Sequence, residues 1–198
     1  MTSVLTGSFR KAGGNQCQAS FVGLLSAANL LHNASTTQSS VYQTYSSDLA
    51  VDGDTGRGYL LSGHCSRTKE TNFPVWKAHM GRVATIGTVR LFNRVDYQQV
   101  QLDDVEVWVG SNGAKYNAVG NKQCSPATTF TWSHASPGYP FSICCGLTGS
   151  FVFVRLPHYG VYLSLCEVVA YAPGSNCGVS TCLLPPPSPP PPPSPTFP

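Results

Sequence analysis

Acidic residues and glycines cluster in residues 48–58, where Asp52 and Asp54 flank Gly53. Closely spaced carboxylates, together with the backbone carbonyls of a glycine-rich loop, suit a hard, oxygen-seeking cation such as Ca²⁺. The alternative is a solvated Asp-Gly turn that binds nothing. The glycine and terminal glutamate spacing of an EF-hand is absent, so an ion site here is of another type. The spacing alone leaves both alternatives open.

A second candidate is the polar stretch at residues 93–110, which carries Arg94, Asp96 and several amide side chains. Guanidinium, carboxylate and amide groups are the donors and acceptors that bind polar ligands. The stretch lies between two strand-like runs, and a polar loop on a rigid sheet is a usual place for recognition. We therefore predict a recognition surface here.

No group of residues predicts catalysis. Ser66 and Lys69 have the Ser-x-x-Lys spacing of some acyl enzymes, but the companion motifs are missing. The chain holds nine acidic residues without a paired constellation, and it has no defensible Ser, His and Asp grouping. We predict that the chain is not an enzyme.

The elements that must position these residues are β-strands. Alternation places Val105, Val107 and Val109 on one face of a strand. Residues 83–91 are predicted to be a strand with all odd-numbered residues, from Val83 to Leu91, on one side. Further strands are predicted within residues 29–45, 73–80, 128–132, 150–156 and 161–171. Many short strands separated by turns predict an antiparallel β-sandwich, with Trp76 in its core.

The amino-acid composition limits the classes of binding partner that we expect. Only 11% of the residues are charged, and the net charge of +3 is scattered rather than clustered. No nucleic-acid or membrane surface is therefore predicted. No run reaches the roughly 18 apolar residues that a membrane-spanning helix requires.

Eight cysteines without a Cys-x-x-Cys pair indicate disulfides in an oxidising compartment rather than a zinc site. In such a compartment, Asn33 in the sequon Asn33-Ala34-Ser35 is a glycosylation acceptor. The apolar residues 21–31 follow Arg10 and Lys11 and loosely imitate a secretory signal, which would place the mature start near residue 35. The alternative is that this segment stays in the chain.

The chain divides into four regions by composition. An irregular leader occupies residues 1–28, the sandwich residues 29–172, and a cysteine-containing linker residues 173–184. Residues 185–198 hold 10 of the 16 prolines. Such a run favours a polyproline II rod, roughly 40 Å long at about 3.1 Å per residue. The rod is either a stiff linker or a segment that docks in an aromatic groove or packs into a fibre.

Several pieces occur in the order and spacing of one known family. These are Thr37-Gln38-Ser39-Ser40, Ala50-Val51-Asp52-Gly53-Asp54, Cys65-Ser66-Arg67-Thr68, Asn93-Arg94-Val95-Asp96, and the closing runs at residues 146–152 and 163–168. Together they resemble the F-type lectin, or fucolectin, family over residues 29–172. The resemblance implies an eight-stranded jelly-roll β-sandwich related to discoidin domains, and a carbohydrate-binding function.

In F-type lectins a histidine and two arginines bind fucose, through a loop motif similar to Arg-Gly-Asp-Cys-Cys-x-x-Arg. Arg94 and Asp96 match the first arginine and the aspartate of that motif. Arg67 stands at the histidine position, Tyr97 at the first vicinal cysteine and Gln101 at the second arginine. Two of the three sugar-contacting residues have therefore changed. The ligand implied is no longer fucose, or no longer a sugar.

These side chains retain the chemistry to hold a sugar. Arg67 and Arg94 supply donors, Gln101 supplies a donor and an acceptor, and Asp96 orients Arg94 by a charge-assisted bond. Tyr97 covers an apolar sugar face. The alternative is that Arg94 and Asp96 pair only with each other and that the loop binds nothing.

The resemblance also implies a structural Ca²⁺ held by Asp52, the carbonyl of Asp54, and Glu167. It implies disulfides between Cys65 and Cys166 and between Cys124 and Cys144. The pairing of the other four cysteines (Cys17, Cys145, Cys177 and Cys182) is left open.

The Pro/Ser tail resembles the hydroxyproline-rich glycoproteins of plant and green-algal walls and surface appendages. Two hypotheses follow. One is an extracellular, calcium-stabilised domain that binds glycans or glycoproteins. The other is a structural or adhesive subunit of a cell wall, extracellular matrix or ciliary appendage, which assembles with other chains through the sandwich and residues 185–198.

Overall fold

Antiparallel strands make up nearly all the regular structure of the chain. In the computed structural model, the described residues are 28–55, 63–94, 102, 104–124 and 140–174. Their strands are β1 (Ser35–Gln38), β2 (Ser66–Arg67), β3 (Val75–Phe92), β4 (Glu106–Gly110), β5 (Lys122–Gln123), β6 (Phe141–Arg155), β7 (Ser164–Leu165) and β8 (Glu167–Tyr171). One 3-10 helix, Ser47–Ala50, lies between β1 and β2. The predicted all-β fold is confirmed.

Two sheets form among these strands. The larger has the order β1-β3-β6-β4-β5, and β8 also pairs with β3. The smaller consists of β2 and β7. The long strand β3 pairs with β1 through its first residues, Trp76 to His79, and with β8 through its last, Thr88 to Phe92. Together β3 and β6 form a long two-stranded ribbon at the centre of the larger sheet.

The core lies on one face of this ribbon. Its residues include Trp76, Ile86, Leu91, Val107 and Val154, all nearly inaccessible to solvent. The predicted alternation of Val105, Val107 and Val109 is confirmed, since all three are buried. Trp76 is in the core as predicted, and its indole Nε1 donates to the Ser47 carbonyl at 2.9 Å, so burial leaves no unsatisfied donor there.

The predicted face of residues 83–91 is wrong. Ile86, Val89 and Leu91 are buried, whereas Val83 is 64% exposed. The register between β3 and β6 shifts between Ile86 and Thr88, where Gly87 of β3 lies opposite two residues of β6, Cys145 and Gly146. The extra residue of β6 interrupts the regular pairing, so residues 83–91 do not keep one alternation of inward and outward side chains.

The predicted strand at residues 161–171 is two strands. β7 pairs with β2 in the small sheet, whereas β8 pairs with β3 in the large one. Cys166 stands between them and is disulfide-bonded. The chain therefore passes from the small sheet to the large sheet at Cys166. The strand predicted at residues 128–132 lies outside the described residues, as do the leader and the Pro/Ser tail.

Candidate functional site

Arg67 lies in β2 with its guanidinium group held between two aromatic rings. The ring centroid of Tyr42 is 4.5 Å from the guanidinium carbon, and that of Tyr162 is 4.4 Å away. The residue is only 9% exposed, and its Nε has no hydrogen-bond partner among the described residues. Cation–π contacts with the two rings fix the orientation of this guanidinium group.

Tyr162 and Tyr42 are positioned by separate parts of the chain. The Tyr162 hydroxyl donates to Glu70 Oε2 at 2.7 Å, and this hydrogen bond raises the pKa of Tyr162. The Tyr42 amide donates to the Arg67 carbonyl at 3.0 Å. The side-chain amide of Gln38 also donates to that carbonyl, at 3.0 Å. Sequence reasoning missed both tyrosines, because each lies outside the strands and neither belongs to a periodic pattern.

Arg94 lies near the same end of the sandwich. It is buried, two residues beyond Phe92, which ends β3. Phe92 pairs with Glu167, and its carbonyl accepts a hydrogen bond from the Cys166 amide at 2.9 Å. Arg67 pairs with Ser164 on the other side of that cysteine. The segments that carry the two arginines therefore both adjoin residues 164–167.

The other predicted sugar-binding residues, Asp96, Tyr97 and Gln101, lie outside the described residues. Their assignment stays a prediction.

Glu167 joins the Asp-Gly loop to β8. It is 1% exposed, and its Oε2 accepts a hydrogen bond from the Gly53 amide at 3.3 Å. Its Oε1 has no hydrogen-bond partner among the described residues. Burial, reinforced by the nearby negative charges of Asp52 and Asp54, raises the pKa of Glu167 to about 7. Ionisation of a buried carboxyl group is unfavourable when one oxygen lacks a hydrogen bond and other acids lie nearby, and a bound cation would offset this penalty.

The two aspartates have distinct partners. Asp52 Oδ1 accepts a hydrogen bond from the Asp54 amide at 2.8 Å, and Asp54 Oδ2 lies 2.7 Å from His64 Nδ1. No group of three or more His, Cys, Asp and Glu side chains is positioned to hold a metal within the described part of the chain. The predicted set uses two carboxylates and the Asp54 carbonyl, so backbone oxygens must complete any ion site here.

The Cys65–Cys166 disulfide is present as the family resemblance implied. It links β2 to the junction of β7 and β8, directly beneath the segments that carry Arg67 and Arg94. The bond closes a sequence separation of 101 residues. A cross-link over a loop of that size stabilises a fold by on the order of 4–5 kcal/mol in the chain-entropy model.

The Cys124–Cys144 pairing is wrong. Cys124 bonds to Cys145 instead. In β6, Ile143 is buried and Cys144 is exposed, so the two-residue period points Cys145 inward, toward the buried Cys124. Cys144 is disulfide-bonded as well.

Asn33 is exposed in the turn before β1, and its amide donates to the Val51 carbonyl at 2.9 Å. An attached glycan at this side chain meets solvent, and its glycosylation stays a prediction. Within the described residues, no helix is long and apolar enough to cross a membrane.

The described strands form an antiparallel β-sandwich, and the segments that carry Arg67 and Arg94 adjoin its Cys65–Cys166 disulfide. No family model matches the chain. It is similar to Fucolectin-2 of Anguilla japonica, with 31% identity over 119 residues, which are 60% of this chain and 62% of that protein. The curated relatives it matches are covered over 34% to 63% of their own lengths.

Solved structures of two proteins are similar to the chain in fold. A fucolectin from the serum of Morone saxatilis (striped bass) has a TM-score of 0.63 and 25% identity, over 73% of this chain and 47% of that chain. A fucose-binding module of Streptococcus pneumoniae has a TM-score of 0.59 and 27% identity, over 73% of this chain and 95% of that chain. The predicted jelly-roll fold is confirmed. The fucolectins and the fucose-binding module among the matches are binding proteins by name, which agrees with the prediction that the chain is not an enzyme.

Proposed function

We propose that this chain is an extracellular carbohydrate-binding domain whose sugar site lies at the end that carries Arg67 and Arg94. The arrangement of Arg67 between Tyr42 and Tyr162 carries the proposal. Relatives of the chain are fucolectins and a fucose-binding module by name. Arg94 and Asp96 match two residues of the fucose-binding motif of the family that the chain resembles. The described disulfides agree with an extracellular location.

The proposed ligand is a glycan other than fucose. Arg67 offers planar donors where F-type lectins have a histidine, and the two flanking tyrosines supply apolar faces for sugar C–H groups. Arg94, Asp96, Tyr97 and Gln101 are the further contacts in this proposal. Gln101 replaces a cation by a neutral amide, which favours neutral hydroxyl groups over charged ones.

A glycan array tests the site. The comparison is between the native chain, Arg67→Lys and Arg82→Lys. Arg67→Lys keeps the charge but loses the planar fork, so we expect glycan binding to fall at least about tenfold. Arg82 is an exposed arginine of β3, and its substitution is the matched control, with native binding expected. Equal binding by Arg67→Lys and the native chain, with both folded by circular dichroism, contradicts the proposal.

We propose further that Ca²⁺ binds Asp52, the Asp54 carbonyl and Glu167 as a structural ion. The bare Oε1 of the buried Glu167 supports this, because a hard cation is the usual partner of carboxylate and carbonyl oxygens. The ion supplies positive charge that joins the Asp-Gly loop to β8.

A second candidate function is a structural subunit of a wall, matrix or ciliary appendage. The proline-rich composition of residues 185–198 favours it. The test replaces the prolines of that segment by Gly and Ser at unchanged length and measures self-association by analytical ultracentrifugation. We expect the native chain to associate and the variant to stay monomeric. Two monomeric proteins under all conditions contradict the structural role.

A further inference from the structure

The face of the large sheet that points away from the core carries aromatic and cationic side chains in register. Lys77 of β3 pairs with Phe153 of β6, which pairs in turn with Trp108 of β4. In the neighbouring row, Arg155 of β6 pairs with Glu106 of β4. Paired residues stand on the same side of a sheet, so these side chains form one continuous surface.

The β4–β5 loop folds over one end of this surface and is held in a fixed shape. The side-chain amide of Asn121 donates to the carbonyls of Asn112 and Lys115, at 2.8 and 2.7 Å. Lys77 Nζ donates to the Gly113 carbonyl at 3.0 Å and ties the loop to the sheet. These hydrogen bonds hold the backbone of the loop in one conformation, so the loop forms a rigid wall beside this surface.

Arg155 forms the floor where this wall meets the sheet. Its guanidinium carbon is 4.2 Å from the ring centroid of Tyr116 and 5.8 Å from that of Phe73. Its Nη1 lies 3.2 Å from Glu106 Oε2, which also accepts a hydrogen bond from Trp108 Nε1 at 2.9 Å. Two rings and a carboxylate thus fix the guanidinium in place. Its Nε has no hydrogen-bond partner within the described residues.

Between Tyr116 and Phe73 lies a cleft of about 580 Å³, a size typical of small-ligand sites. Its lining includes Thr37, Ser39, Lys77, Lys115, Asn117 and Phe153. Exposed ring faces suit the C–H faces of a sugar, and the hydroxyl and amide groups suit its hydroxyls. Arg67 does not line the cleft, so this site is separate from the one at the sandwich end.

The charges of the cleft select the ligand. Lys77, Lys115 and Arg155 line it, and its lining within the described residues contains no acidic side chain. Glu106 offsets Arg155, whereas neither lysine forms an ion pair within the described part of the chain. An anionic group on the ligand would therefore gain two charge-assisted partners. The uncharged residues 185–198 offer neither lysine an anionic partner, which argues against a polyproline occupant.

We propose that this cleft is a second saccharide site, and that it binds a sugar bearing a carboxylate or sulfate group. The anion lies between the two lysines, and the sugar ring packs against Tyr116 and Phe73.

Isothermal titration calorimetry with four probes tests the proposal: a galacturonate trisaccharide, a sulfated galactose trisaccharide, the neutral galactose trisaccharide, and a peptide of residues 185–198. We expect at least one acidic sugar to bind about tenfold or more tightly than the neutral one. Whichever acidic sugar binds identifies the anion. Equal binding of the three sugars, no binding of either acidic sugar, or binding of the peptide alone overturns the proposal.

Variants locate the binding. Lys115→Gln removes an exposed charge on the loop and is expected to weaken acidic-sugar binding about tenfold or more. Lys122→Gln removes an equally exposed charge outside the cleft and is the matched control, with native affinity expected. Native affinity in Lys115→Gln, or an equal loss of affinity in Lys122→Gln, overturns the assignment.

Discussion

The amide of Gly53 donates a hydrogen bond to Glu167 Oε2 at 3.3 Å, across a separation of 114 residues. Gly53 has a φ of +86°, a left-handed conformation that favours glycine. The glycine therefore lets the Asp-Gly loop turn so that its amide faces the buried carboxylate of β8. Among the described residues, Oε2 of Glu167 accepts this hydrogen bond and Oε1 has no partner, so we expect the stability of the fold to depend on the protonation of Glu167.

The ion-free chain should lose stability as pH rises. In the folded state the pKa of Glu167 is about 7, raised from 4.5 by burial. Between these values the folded chain binds more protons than the unfolded chain, so the free energy of unfolding falls as pH increases through that window. Above about pH 7 the penalty is fully present. Urea unfolding in EGTA at pH 5.5 and pH 8 measures the fall.

Glu167→Gln is the control for that titration. The amide keeps the shape of the side chain and cannot ionise, so the variant should lose less stability than the native chain between the two pH values. Identical falls in the two proteins would show that Glu167 is not the group responsible.

Calcium should raise the thermal midpoint of the native chain at pH 8 by several degrees, because binding to the folded state alone stabilises it by mass action. Asp52→Asn removes a proposed ligand and should abolish most of this rise. Asp48→Asn removes an exposed acid of the same segment and should keep it. Differential scanning fluorimetry with and without millimolar Ca²⁺ measures the shifts. A rise of equal size in Asp52→Asn would contradict the proposed site.

Thiol labelling should distinguish the two adjacent cysteines of β6. Cys145→Ser should free Cys124, because these two form the disulfide. Cys144→Ser should leave Cys124 unlabelled, since Cys144 belongs to another disulfide. Because Cys124 is buried in the fold, the variants are alkylated in denaturant without reductant, and mass spectrometry of the peptide that contains Cys124 measures the labelling. Labelling of Cys124 in Cys144→Ser would restore the pairing that the family resemblance implied.

Sequence patterns predicted the fold class because a two-residue alternation and turn residues are local properties. The inward face of Val105 to Val109 follows from that alternation alone. The choice between Cys144 and Cys145 depends on which side of β6 faces Cys124, and strand pairing decides that. Tyr42 and Tyr162 were missed because they meet Arg67 only after β2 pairs with β7. Contacts between distant loops leave no periodic signal in a single sequence.

Gly87→Ala should destabilise the fold at the position of β3 that lies opposite the bulge of β6. A Cβ at Gly87 would lie 2.6 Å from the backbone Cα of Pro173, which cannot move aside as a side-chain tip can. Overpacking of this kind costs about 1–3 kcal/mol. Thr85→Ala, at an exposed position of the same strand, is the control. It removes only an exposed 2.8 Å hydrogen bond with Thr148, so the free energy of unfolding should fall by less than about 0.5 kcal/mol. Urea midpoints measure both variants. Equal midpoints for Gly87→Ala and the native chain would mean that residues 172–173 shift to accept the methyl group, and that the contact beside the bulge is not tightly packed.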